Sequence, residues 1–284
     1  MRFFISNNPS NLAAFLSQFA STATVEAEYG DVTVYGSTVT MAHHGKNAGG
    51  QCPCSYENFV DLGVEAVGLS HVDLDTLGGC MALLGTKPDA PSFWQLAEFV
   101  DLNGAHRLGE SRASSVDLAR LYAWWAYSET VRLFPPRDGS VEEVTDKLKC
   151  LFEAVANVCA DNQEMLDTGE KFRLAGEALN AASFVQDVNG VLVRVSDRFV
   201  NHLYCAPGSH DAAEAVVAFN TLTGAITVSF ADGGKKVSAR LVVQGLWGEL
   251  AGGHDGIAGS PRGQRMALLD LYKTAETVFG DLQN

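Results

Sequence analysis

The most constraining feature of this chain is a change of grammar at Ser70. The apolar run Val64 to Leu69 has the length of one buried strand, and it gives way to Ser-His-Val-Asp-Leu-Asp-Thr-Leu-Gly-Gly over 70–79. A helix beginning at Thr76 and running through Leu84 is expected next, its glycines permitting close packing or a close ligand. Residues i, i+2 and i+4 of an extended segment point the same way. His71, Asp73 and Asp75 are therefore expected to share one cavity at the strand's end, and three converging side chains of these types point to a divalent metal.

The 284 residues are 46% hydrophobic and 19% charged, ample for a buried core and long enough for two domains. No run approaches the roughly 20 apolar residues that span a bilayer, and the start shows no signal-peptide pattern. A cytoplasmic protein without membrane contact is expected. The formal net charge of −14 disfavours a long duplex nucleic acid as partner. A small anionic substrate remains compatible, because clustered Arg residues and a bound cation invert the field locally. A homo-oligomer is compatible with this composition. Among the six cysteines, Cys80 and Cys150 fall in helix-like apolar stretches and are expected to be buried thiols. Cys52-Pro53-Cys54 lacks the two-residue spacing of a metal knuckle and reads as a tight loop, with metal or redox use as the alternative.

Along the chain, Arg2 to Ser6 reads as a strand, Pro9 to about Phe19 as a helix, and Asp31 to Met41 as short strands around Gly36. Helices are expected from Pro91 to Val100, Ser115 to Val131, Val141 to Ala160 and about Gly169 to Ala182, with a boundary at Phe134-Pro135-Pro136. From Val191 the pattern changes to short strands at 191–195, 215–219, 225–230 and 237–243, closed by a helix over 263–278. The expected division is 1–135, a helical connector over 136–185, and a C-terminal mixed α/β domain over 186–284.

Further candidate ligands are Asp101, His106 and the pair His43-His44. The two adjacent histidines point apart in a regular strand, but the turn implied by Gly45 lets both face inward. Imidazole with carboxylate shifts metal preference toward manganese, zinc or iron. A second constellation, Gly252-Gly253-His254 with Arg262 downstream, offers backbone amides, an imidazole and a guanidinium fork to an anion.

Together, His-x-Asp-x-Asp-x-x-Gly and the later Gly-Gly-His-x-x-x-Ala-Gly resemble the DHH phosphoesterase superfamily with its DHH-associated C-terminal domain. The resemblance implies an α/β protein with an N-terminal parallel-sheet domain holding two Mn2+ ions (Mg2+, Co2+ or Zn2+ being alternatives) and a smaller C-terminal domain that binds substrate. It implies hydrolysis of a small phosphodiester, short oligonucleotide or other phosphorylated compound, with a catalytically inactive nucleotide- or phosphometabolite-binding relative as the alternative. Carried over, His71 and Asp73 look like ligands of one metal, Asp75 of the other, and Asp101 like a bridging carboxylate. Gly252, Gly253 and His254 look like the substrate motif, and Arg198, in Ser196-Asp197-Arg198, like its companion. The chain contains no Asp-His-His. His106 and His43-His44 are the nearest substitutes, Asp117 is the nearest match to a late aspartate, and Asp75, Asp101 and His106 are the expected catalytic set.

Overall fold

The computed structural model describes residues 1–284. In chain order the elements are β1 (Arg2–Ile5), α1 (Pro9–Leu16), β2 (Thr22–Val25), β3 (Glu28–Tyr29), β4 (Val32–Thr33), β5 (Val39–Met41), β6 (Ala66–Leu69), α2 (Leu74–Leu84), α3 (Pro91–Asn103), α4 (Ser115–Ser128), β7 (Glu142–Glu143), α5 (Thr145–Cys159) and α6 (Gln163–Ala182). They are followed by β8 (Phe184–Val188), β9 (Val191–Ser196), β10 (Ala215–Asn220), β11 (Ile226–Phe230), α7 (Ala239–Trp247), β12 (Gly252–Gly253), β13 (Ile257–Gly259) and α8 (Leu268–Gln283). The protein is α/β, with a parallel-rich sheet in one compact unit and a mixed sheet in another. The first unit comprises 1–102 and 113–172, the second 103–112 and 173–284.

In the first unit the strand order is β5-β2-β6-β1-β7. All neighbours are parallel except β7, which pairs antiparallel with β1. The four residues of β2 and of β6 are buried throughout, as expected when both faces of a parallel sheet are covered. Alternation in β1 serves both faces: Phe4 joins Leu12 and Leu16 of α1, while Phe3 meets Phe152 of α5 with ring centroids 5.7 Å apart. The helical segment expected as a connector is thus not separate, because α5 packs on the first sheet and α6 spans the division between the units. Cys150 is exposed and not buried, since α5 turns Leu148 and Leu151 inward and leaves position 150 facing solvent.

The second unit holds a sheet of order β12-β13-β11-β10-β9-β8, antiparallel except for β9 against β10. Val191, Val193, Ala215, Val217 and Val228 line one face, packed against α7 and α8. The segment 237–243, expected as a strand, forms the start of α7. Ser238 caps it by accepting from the Leu241 amide, and Ala239, Val242 and Val243 bury at helical spacing while Leu241 stays exposed. Helical periodicity here overrides the β-propensity of two valines. No helix of the chain is long and apolar enough to cross a membrane.

Candidate metal centre

Parallel strands β5, β2 and β6 lie side by side and end at one level, Val25 being in register with both Met41 and Leu69. The residues just beyond those ends are Glu26, His43 with His44, and His71. Open α/β sheets bind ligands beyond the carboxyl ends of their strands, and here that edge carries one carboxylate and three imidazoles.

Glu26 is the hub. It is fully buried and has a φ of 46°, left-handed backbone that is unusual for a residue other than glycine. Its amide still donates to the Met41 carbonyl at 2.9 Å, and its carbonyl accepts from Ser70 Oγ. Oε1 lies 2.9 Å from His43 Nε2 and 3.0 Å from His44 Nε2. Oε2 lies 3.2 Å from His71 Nε2 and accepts from Thr76 Oγ1 at 2.7 Å. One carboxylate therefore faces two sets of donors. On the Oε1 side, Asp75 Oδ2 and Asp101 Oδ2 stand 3.0 and 3.5 Å from His43 Nε2. On the Oε2 side, Asp73 Oδ2 is 3.3 Å from His71 Nε2.

Each part is held from behind. Ser70 Oγ is 2.8 Å from His71 Nδ1, and Cys52 Sγ is 3.2 Å from His43 Nδ1. Glu28 accepts the backbone N–H of His43 at 3.0 Å and of His44 at 3.1 Å, so both rings follow the same turn. Their centroids are 3.9 Å apart. Asp73 caps α2 by accepting from the Thr76 amide, which ends the extended segment there. The strict alternation expected for 71, 73 and 75 is broken by that cap: Asp75 enters the first turn of the helix and joins His43, on the other side of Glu26 from His71 and Asp73.

The electrostatics match this crowding. Burial raises the Glu26 carboxyl's proton affinity, but contacts with His43, His44 and His71 win and hold its pKa far below the usual carboxylate range. His43 is opposed by burial, yet Asp75, Cys52 and Glu26 push it up to about 12. His71, also opposed by burial, is pushed up to about 10 by Asp73 and Glu26. Burial, then the charges of Glu26, Asp75 and Asp73, raise Asp101 to about 6.

The donor set fits a cation. Asp75 Oδ2 and Asp101 Oδ2 are buried and accept no well-formed hydrogen bond, although His43 Nε2 stands 3.0 and 3.5 Å away; several carboxylates crowded around so few imidazoles leave room for a further positive charge. Ligand atoms gather within 4.8 Å of one another in three groups: Glu26, His43, His44 and Asp101; His43, Cys52, Asp75 and Asp101; and Glu26, His71 and Asp73.

The remaining sequence candidates lie elsewhere. His106 belongs to the second unit, where its ring packs 4.7 Å from Tyr204, and it is in none of the three donor groups. Asp117 sits in the first turn of α4, bonded to Ser114 Oγ at 2.7 Å and paired with Arg120 at 3.3 Å. Gly252 and Gly253 form edge strand β12, His254 follows it in an exposed hairpin, and Arg198 and Arg262 are exposed in loops of the same unit. Sequence reasoning missed Glu26 as hub and Glu28 as backbone anchor. The available signal was an acid directly after the short apolar-and-threonine stretch Thr22 to Val25. No protein-family model matches the chain, and no curated protein matches it.

Proposed function

We propose that the protein is a divalent-metal-dependent phosphohydrolase acting on a small phosphorylated substrate such as a short phosphodiester. The observation that carries the reading is the set of donor atoms gathered on both sides of Glu26, where two buried carboxylate oxygens accept no well-formed hydrogen bond and share the one imidazole of His43. His43, His44, Asp75 and Asp101 would hold one ion with Glu26 Oε1, and His71 and Asp73 a second with Glu26 Oε2. Mixed imidazole and carboxylate donors suit manganese first, with magnesium, cobalt and zinc as alternatives. When bound, such ions supply Lewis-acid activation of water and neutralise charge on a phosphoryl group.

The chain's own side chains do the rest. Ser70 and Cys52 fix the rings of His71 and His43, and Cys54 N–H, donating to Asp75 Oδ1 at 2.7 Å, leaves Oδ2 turned inward. Asp101, raised to about 6 in the metal-free protein by burial and the neighbouring carboxylates, would give up any proton on entering the donor set. Within the second unit taken by itself, the exposed Arg198, His254 and Arg262 are proposed as phosphate-binding groups.

Elemental analysis of the purified protein should find about two metals per chain, and a panel of nucleotides, dinucleotides and pyrophosphate assayed with Mn2+, Mg2+, Co2+ and Zn2+ should show hydrolysis. Asp75→Ala should abolish it in a folded protein. Unchanged turnover in that variant refutes the assignment, and metal uptake with phosphate-ligand binding but no turnover supports the binding-protein alternative.

A further inference from the structure

We propose that the Cys52-Pro53-Cys54 turn is an orienting layer of the metal centre, in which Cys52 is a positioning residue acting through His43 and not itself a ligand. This rests on the metal reading above. The sulfur lies 3.2 Å from His43 Nδ1, whereas Nε2 is the ring atom that meets Glu26 Oε1 at 2.9 Å and Asp75 Oδ2 at 3.0 Å. Nδ1–H donating to sulfur leaves the Nε2 lone pair for a cation, which is how outer hydrogen bonds fix a ligating imidazole. Two residues later, the Cys54 amide donates to Asp75 Oδ1 at 2.7 Å. Its other oxygen, Oδ2, is buried, accepts no well-formed hydrogen bond and faces His43 Nε2. One turn thus aims two donor atoms at one point.

The turn is built to hold still. Pro53–Ser55 forms a single 3-10 turn, with the Ser55 amide donating to the Cys52 carbonyl at 2.9 Å. Lys87 Nζ donates to the carbonyls of Cys54, at 2.8 Å, and of Tyr56. The turn sits directly on α2, where a Cβ on Gly78 would come 2.6 Å from Cys54 Cβ and one on Gly79 2.7 Å from Pro53 Cβ. The paired glycines of the sequence motif therefore seat this turn. Direct ligation is the competing arrangement, since Cys52 Sγ also lies within 4.8 Å of donor atoms of His43, Asp75 and Asp101. The sulfur's position behind the ring favours the outer role.

The test measures Mn2+ and Co2+ affinity, by chelator competition, for the wild type, Cys52→Ser and Cys52→Ala, with circular dichroism and melting of the metal-free proteins alongside. Cys52→Ala should bind about 10–100-fold more weakly, while Cys52→Ser, whose hydroxyl also accepts, should stay within a few-fold. The cobalt-loaded wild type should lack sulfur-to-cobalt charge-transfer absorption. That absorption, lost in Cys52→Ser, would overturn the outer role, and so would unchanged affinity in Cys52→Ala. Should Cys52→Ala misfold, Cys52→Ser and the cobalt spectrum decide. A wild type that takes up no metal removes the metal reading itself, an outcome distinct from a metal-binding wild type indifferent to position 52.

Discussion

Loading the centre with metal should expel protons, and a lower bound on their number follows from the two imidazoles that face Glu26 from opposite sides. Without metal, His43 at about 12 and His71 at about 10 both hold their extra proton at neutral pH. A cation accepts only the unprotonated Nε2, so each ring must release one proton as metal enters. At least two protons displaced, with His44 adding to them wherever its own raised pKa keeps it protonated, make the logarithm of affinity climb by about two or more per pH unit, or at least ~2.7 kcal/mol per unit at ~1.36 kcal/mol per proton. The climb should run from neutral pH to about 10, then ease to one proton once His71 is already free. Isothermal calorimetry with Mn2+ in buffers of differing ionisation enthalpy counts the released protons directly. A count near zero at about pH 7.5, where both rings hold their extra proton, or an affinity flat in pH, would refute the placement of these imidazoles in the donor set.

The same shifts govern the metal-free protein's stability. Both histidines have folded-state pKa values above the ordinary 6.5, so their contribution is present below about 6.5 and lost as pH rises through about 10 and then about 12. Urea unfolding of metal-free protein should show lower stability at about pH 10 than at pH 6.5, and the opposite trend would contradict the ion-pairing around Glu26. Gly78→Ala should cost ~1–3 kcal/mol by pressing a methyl onto Cys54, as read from chemical denaturation. No loss would mean the turn yields freely.

Much of the fold is legible in the chain because its signals are local. The run at 64–69, the helices at 91–103 and 145–159, and the strands β9, β10 and β11 of the second sheet each show their period in a short window. The segment 237–243 misleads because Val237, Val242 and Val243 favour strands, while the cap at Ser238 and the burial of Ala239 that decide for a helix depend on the Asp255 loop folded beside it. For the site, residue type and spacing single out His71, Asp73, Asp75 and Asp101. Glu26 escapes such reasoning, because its importance comes from β2 lying between β5 and β6, an adjacency that chain order conceals. Likewise His43 and His44 converge only because the Glu28 carboxylate gathers both amides after β5 has ended.

The common level at which β5, β2 and β6 terminate sets how this molecule can tolerate change in length. Between Ala48 and Val64 the chain runs without a strand, and residues gained or lost near the exposed Val60 leave the sheet's edge untouched. A single residue inserted between Met41 and His43 would instead carry both rings away from the glutamate, because strand pairing fixes where the count begins. Change in length is thus tolerated near Val60, beyond the held turn at 52–55, while the few positions following each of three strands behave as fixed-length spacers.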